Sequence, residues 1–292
     1  MSRPSPALDV AAVEAAILST QFAGQITYLD VTLSTMDLAL KAAHSGCRHG
    51  VWIAGQQLAG RGRGANAWHS PAGAGLYMTA LASPPIPIQS ALALSFRVAV
   101  AVQSAIAGLY GLRVPDQIDI RWPNDLMIAR PGAPQRKVAG ILIDTASNPA
   151  RAGQPATLRY AIIGIGINLN HADFPSSLDS MATSILRELP SGAQPLAREP
   201  LAAAVLTALD AELRALAANQ PQPAACDCPD YPACSTWING KRVRVEPRDA
   251  GPDSAGASYT GTTAGLTPGG YLLVRGDDGQ LHTVLSGGLR EP

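Results

Sequence analysis

The chain is poor in lysine. Of its 22 lysines and arginines, only Lys41, Lys137 and Lys241 are lysine. Arginine serves here wherever an ordinary surface cation would do, so a retained lysine marks a candidate site for a compact ammonium. Net charge is also missing: the formal value is zero. No global field draws the protein toward nucleic acid or anionic lipid. No uncharged apolar run reaches the roughly 18 residues of a membrane span. The nearest approach, Ala91–Tyr110, contains Arg97, Gln103 and two serines. Residues 1–20 contain Asp9 and Glu14 and have no continuous apolar core, so no secretory signal is expected. A cytoplasmic protein without a membrane or nucleic-acid partner is expected. Cysteine is sparse, with Cys47 alone and Cys226, Cys228 and Cys234 close together. A zinc site would need a further ligand, and no histidine is near, so reduced thiols in a loop are expected.

Carboxylates are missing from one long segment. Between Asp37 and Asp116 there is no Asp or Glu, while Lys41, Arg48, Arg61, Arg63, Arg97 and Arg113 fall inside it. Part of that segment is expected to face an anion.

What is present suits a folded enzyme. Hydrophobic residues make up 47% of 292, enough for a sizeable domain and a small second one. Apolar spacing predicts helices over 8–20, 37–43, 91–109 and 197–217. Strands are expected at 26–31, 51–57, 76–81, 118–122, 139–145 and 158–170. Residues 219–234, rich in Pro and Cys, read as a linker. Beyond Trp237 come short strands separated by turns, a small β-barrel of about 50 residues.

The densest motif is Gly60-Arg61-Gly62-Arg63-Gly64-Ala65-Asn66-Ala67-Trp68-His69-Ser70-Pro71. Its glycines expose backbone N–H groups and allow close approach to a ligand. Arg61 and Arg63 can neutralise phosphate, and Trp68 offers a face for a base or ring. Gly60, Gly62 and Ala65 fit a dinucleotide-binding pattern, but no helix can open at Asn66–Gly75 and no acidic residue follows at ribose distance. A second constellation is Arg121-Trp122-Pro123-Asn124-Asp125, then Arg136-Lys137 entering a strand. Asn124 can hydrogen-bond a substrate, and Lys137 can balance a carboxylate and an α-phosphate. Asp125 or Asp144 can hold hydrated Mg²⁺. A third is Gly164-Ile165-Gly166-Ile167-Asn168-Leu169-Asn170, with both amides on one side.

Together and in this order, these residues resemble the catalytic domain of biotin–protein ligases. The matching pieces are Ser34-Thr35, Gln57, Gly60–Trp68 with Ser70-Pro71, Trp122–Asp125, Lys137 with Gly140-Ile141-Leu142, and Gly164–Asn170. The resemblance implies an α+β fold: a mixed-sheet biotin/lipoate ligase-type catalytic domain over 22–220, then a small C-terminal SH3-like β-barrel over 235–292. It implies biotin contacts from Ser34, Thr35 and Gln57, with Gly62, Arg63 and Gly64 closing over the ligand and Lys137 at the biotin carboxylate. Arg61, Trp68, Asn124 and Asn168 would serve ATP. Lys137, Arg61 and Arg63 would carry the catalytic charge, with ATP, biotin and Mg²⁺ taking part. The implied partner is the biotin carrier domain of acetyl-CoA carboxylase or a related carboxylase. The exposed sheet edge of such a fold leaves room for a homodimer.

The sequence departs from the family pattern at four places. Gly64-Ala65-Asn66 stands where bacterial members often carry further arginines. Met36 replaces a common Asn, Asp144 a common Glu, and the loop before Lys137 is long. About 20 residues precede the first catalytic strand, too few for the helix-turn-helix domain of the repressor members. No DNA-binding activity is expected. Two other readings compete. A lipoate ligase or octanoyltransferase shares the fold, but Cys47 is poorly placed for a Cys–Lys pair. A silent biotin sensor would be expected to lose Lys137 or the arginine loop.

Overall fold

The computed structural model describes residues 7–64, 66–128, 132–150, 156–219, 231–246, 258–285 and 287–292. Cys226 and Cys228 lie outside them; Cys47 and Cys234 are free thiols.

The chain runs α1 (Val10–Ala16), β1 (Ile26–Thr32), α2 (Thr35–His44), β2 (Gly50–Gln57), β3 (Gly75–Ala82), α3 (Ala91–Tyr110), β4 (Ile118–Arg121), β5 (Asp125–Ile128), β6 (Arg136–Ser147) and β7 (Leu158–Asn168). Then follow α4 (Ile185–Glu188), α5 (Arg198–Asn219), α6 (Tyr231–Cys234), β8 (Asn239–Glu246), β9 (Tyr259–Leu266), β10 (Leu272–Gly276), β11 (Leu281–Val284) and β12 (Gly288–Arg290). The expected helix over 8–20 is shorter, because its chain turns after Ile17. Two strands were not expected from the sequence. β5 follows the Pro-Asn turn and inserts between β4 and β6, and β12 pairs with β8.

The larger sheet has the order β1-β2-β3-β7-β6-β5-β4. β1 and β2 are parallel and the other pairs antiparallel, so the sheet is mixed. Its two faces follow from the pleat. On β7, Ile163, Ile165 and Ile167 enter the main core beneath α3 and α5. The alternate positions, Ile162, Gly164, Gly166 and Asn168, turn to the opposite face, where Met36, Ala39 and Ala43 of α2 pack on Leu81, Tyr160 and Ile162. The sequence Gly-Ile-Gly-Ile-Asn therefore encodes a greasy underside and a nearly bare upper surface.

By length and composition α3 resembles a membrane span, yet it is mostly buried as a core helix. Two of its polar side chains bond to other parts of the protein. Arg97 pairs with Glu212 of α5 at 2.7 Å. Gln103 donates to the carbonyls of Ile118 and Cys234, both at 2.9 Å.

The smaller sheet is antiparallel, in the order β11-β10-β9-β8-β12. Its edge strands β11 and β12 are not paired with each other among the described residues. The expected barrel is thus an open SH3-like sheet. Val243, Val245, Leu272, Val274 and Leu289 form its interior. It meets the larger sheet through Ser235–Trp237 and through Trp122, whose Nε1 donates to the Gly270 carbonyl at 3.3 Å.

Candidate active site

A cleft of about 1010 Å³ opens on the α2 side of the larger sheet. It is lined by Ser34, Thr35, Gln57, Gly60–Arg63, Trp68, Asp125, Lys137 and Asn168, whereas Gly64, Asn124 and Asp144, also singled out from the sequence, are not among its lining residues. Its far wall comes from Gly287–Glu291 of the smaller sheet, for which the sequence offered no signal.

The floor is built of glycine for a steric reason. A Cβ on Gly166 would lie 2.4 Å from Trp68 Nε1, and one on Gly140 would lie 3.0 Å from the same indole. A Cβ on Gly164 would meet Met36 Sδ at 2.7 Å. Trp68 and Met36 therefore lie almost on the backbone of β6 and β7. Met36 contributes packing to this floor.

One end of the cleft is a polar pocket. Ser34 is the N-cap residue of α2 by position, but its side chain makes no capping bond. Its Oγ is buried and has no hydrogen-bond partner in the protein. Beside it, Gln57 Oε1 accepts from Thr35 N at 2.9 Å and from Thr35 Oγ1 at 3.0 Å. The Thr35 hydroxyl also meets Thr79 Oγ1 at 2.8 Å. Gln57 Nε2 donates to Ser70 Oγ at 3.0 Å, and Ser70 Oγ to the Trp68 carbonyl at 3.1 Å. Gln57 thus ties the start of α2 to the segment leaving the glycine loop.

That loop is a small hairpin. Trp68 N donates to Gly60 O and Gly62 N to Asn66 O, each at 2.8 Å. Arg61 bridges to Ala67. A Cβ on Gly60 would strike the Trp68 carbonyl at 2.7 Å, and Gly64 takes φ +64° near the tip. Both facts require glycine at these positions. The two arginines diverge. Arg61 reaches Asp37 at 3.4 Å and Asp144 at 3.2 Å. Arg63 donates to Asn124 Oδ1 at 3.3 Å and lies 3.5 Å from the Gly287 carbonyl.

Of the six cations in the carboxylate-free segment, Arg61 and Arg63 line the cleft. Arg97 pairs with Glu212, Arg113 with Asp116, and Arg48 donates to backbone carbonyls. The part of the segment expected to face an anion is thus the hairpin that bears Arg61 and Arg63.

Lys137 Nζ sits 2.6 Å from Asp125 Oδ1 and 5.3 Å from the centre of the Trp68 ring. Arg121 Nη2 holds the other Asp125 oxygen at 2.8 Å. Burial favours the neutral acid, but Lys137 and then Arg121 outweigh it and bring the Asp125 carboxyl down to about 2. Asp125 is ionised and fully engaged at neutral pH. Both carboxylates expected to hold Mg²⁺, Asp125 and Asp144, are engaged with cations in this ligand-free structure. Asp125 is held by two cations, Asp144 pairs with Arg61, and no group of three metal-ligating side chains occurs among the described residues.

The two asparagines act through the backbone. Asn124 Nδ2 donates to the Ile141 carbonyl, and Asn168 Nδ2 to the Thr183 carbonyl at 3.0 Å. Asn170 closes the following loop on Leu196, donating from Nδ2 and accepting at Oδ1, both at 2.8 Å. Trp68 Nε1 is buried and, like Ser34 Oγ, lacks a partner in the protein. Leaving a buried polar group unpaired costs about 1–3 kcal/mol. Two such groups in one cleft mark it as built to receive a polar ligand.

Residues 28–168 match the Biotin/lipoate A/B protein ligase family. The Mycobacterium tuberculosis biotin--[acetyl-CoA-carboxylase] ligase is 34% identical over 224 residues, covering 75% of this chain and 74% of that one. The chain belongs to the biotin–protein ligase family. The Bifunctional ligase/repressor BirA of Bacillus spizizenii is 38% identical over 172 residues, 58% of this chain and 48% of that protein. The chain thus spans about half the length of the Bacillus relatives it matches. The biotin protein ligase of Aquifex aeolicus, solved in complex with biotin and ATP, shares the fold with a TM-score of 0.67 at 20% identity, covering 92% of this chain and 100% of that one.

Proposed function

We propose that this protein activates biotin with ATP and transfers it to a lysine of a carboxylase carrier domain. The observation that carries this reading is the pairing, in one cleft, of the orphaned Ser34 hydroxyl and Trp68 N–H with three cations, Arg61, Arg63 and Lys137. A neutral polar head group suits the Ser34 end, and an acyl phosphate with its nucleotide suits the end that holds Trp68 and the cations.

In the first step a biotin carboxylate oxygen attacks the α-phosphorus of ATP. A P–O bond forms, pyrophosphate leaves, and biotinyl-5′-AMP results. Ser34, Thr35 and Gln57 seat the head of biotin, and Gly62, Arg63 and Gly64 close over it. Lys137 faces the carboxylate and α-phosphate, where positive charge stabilises the transition state. Arg61 and Trp68 serve the nucleotide. Asn124 and Asn168 shape its side of the cleft through the backbone they brace. In the second step the carrier's amine attacks the acyl carbon, AMP leaves with the bonding pair, and the amine proton is lost. No enzyme nucleophile is required. We assign catalysis to residues 22–220 and the far wall of the cleft to 235–292. A cytoplasmic location, where ATP is supplied, is part of this reading. The free edge of β1, with Val31, Leu33 and Leu58 exposed, supports a homodimer.

Pyrophosphate release with ATP and biotin, against ATP and lipoate, tests the reading. Release with biotin alone is expected, and its loss is expected in Lys137→Ala. Release with lipoate but not biotin would overturn it.

A further inference from the structure

The segment Ser235–Trp237, which leads into the smaller sheet, docks on β4 and on Gln135, just ahead of the strand that carries Lys137. Ser235 Oγ donates to the Ile120 carbonyl at 2.6 Å. Thr236 N donates to Asp119 Oδ1 at 3.0 Å, and the Thr236 hydroxyl to Asp119 Oδ2. Trp237 is 1% exposed, and its Nε1 donates to Gln135 Oε1 at 2.9 Å. Gln135 lies two residues before Lys137 and donates in turn to Asp119 at 3.2 Å. The face of the indole carries Arg121, whose guanidinium carbon is 5.6 Å from the ring centre. The same guanidinium holds Asp125, and Asp125 holds Lys137.

The charges in this line matter. Arg121, Asp125 and Lys137 sum to one positive charge. Asp125 and Lys137 alone sum to zero, and an ion pair projects far less field onto a reacting phosphate than a free cation does. Arg121 has a guanidinium on a flexible stem, and the buried indole face favours keeping that cation where it is.

We propose that Trp237 is a positioning residue for the Lys137 centre: its ring keeps Arg121 on Asp125, so that Lys137 retains a net positive charge toward the reacting phosphate. Seating of the smaller sheet is thereby coupled to adenylate formation. The proposal rests on the ligase reading for its kinetics, but the local charge arrangement is measurable without any ligand.

The test uses the full chain and the variants Arg121→Gln, Trp237→Leu, Trp237→Phe and the double variant Arg121→Gln/Trp237→Leu. With ATP and biotin, Arg121→Gln and Trp237→Leu are expected to lower kcat for pyrophosphate release about tenfold, with the biotin KM within about twofold. The double variant is expected to fall no further than the worse single one, because both remove one link. Trp237→Phe, which keeps a ring face, is expected to stay near the parent. The ligand-free readout is acetic anhydride labelling of Lys137, referenced to exposed Lys41. Arg121→Gln should slow it about threefold, since Asp125 then binds Lys137 alone. Unchanged kcat and labelling in folded Arg121→Gln would overturn the proposal. So would additive losses, or Trp237→Phe as impaired as Trp237→Leu. Should Trp237→Leu fail to fold, Arg121→Gln and Trp237→Phe still decide. A parent protein that is inactive on biotin while the labelling effect holds would overturn the ligase reading and leave the charge relay standing.

Discussion

Arg63 and His171 show how much one side chain's neighbours decide. Arg63 is tied to Asn124 and lies near Gly287 of the smaller sheet, so the hairpin that bears it has an anchor across the cleft. A glycine-rich hairpin has few side chains to pack, and its hold on a ligand depends on such charged contacts. Arg63→Gly is expected to retain adenylate synthesis but release the intermediate faster. The freed anhydride would then label bystander lysines. Streptavidin blotting of a mixed protein extract and the biotinyl-adenylate off-rate measure this; no change in either would remove Arg63 from closure. His171 is buried, stacked on Phe174 with ring centres 5.0 Å apart. Burial, with the neighbouring His69 adding to it, lowers its pKa to about 4. An unfolded histidine titrates near ~6.5. Between those values the unfolded chain takes up a proton that the fold refuses. Stability should therefore fall as pH drops from ~6.5 toward 4, by on the order of 2–3 kcal/mol from this group. Thermal midpoints of the parent and His171→Gln across that range should show a shallower slope in the variant.

At the scale of the element, the cleft floor is a property of two strands with bare positions. Gly164 and Gly166 belong to the same face of β7, yet substitution should separate them. A Cβ on Gly166 meets the indole of Trp68 at 2.4 Å, and that ring has the backbone beneath it. A Cβ on Gly164 meets Met36 Sδ, the soft part of a flexible chain. Gly166→Ala should raise the KM for ATP about tenfold by lifting the indole, whereas Gly164→Ala should change it by less than about threefold. Equal effects would mean that Trp68 does not depend on the bare strand. The glycine hairpin is a second such element, closed by backbone bonds between Gly60 and Trp68 and between Gly62 and Asn66. It enters the cleft as a shaped object, and its arginines are already sorted to opposite walls.

Across the whole molecule, two sheets share one cleft and one joint. The joint turns on Asp119, fully buried between β4 and the segment entering the smaller sheet. Its carboxylate accepts from Thr236 N, Thr236 Oγ1 and Gln135 Nε2. Removing it takes the acceptor from three donors, two on exposed Thr236 and one on half-buried Gln135, at about 1–3 kcal/mol together. Asp119→Ala is expected to split thermal unfolding, with the smaller sheet releasing first and pyrophosphate release declining with it. Calorimetry that shows one transition at the parent temperature would refute the joint.

Much of the fold and floor could be read from residue order alone. Gly-Ile-Gly-Ile-Asn on β7 states its own pleat, and the glycine–arginine hairpin and the lysine opening β6 state a site for an anion. These are local facts: alternation, steric permission and side-chain charge belong to a residue and its immediate neighbours. Other features needed the tertiary structure. β5 is short and β12 shorter, so neither carries a pattern long enough to read. Asp125 looked like an oxygen ligand for a cation, because nothing in the sequence places Arg121 and Lys137 on its two oxygens. Arg61 looked free, because Asp37 and Asp144 come to it from α2 and β6. The wall at Gly287–Glu291 comes from the far end of the chain. Sequence determined which chemical groups were available and which face of each strand they occupied. Tertiary structure decided which charges meet, because an ion pair depends on distances of a few ångströms between segments that chain order does not specify.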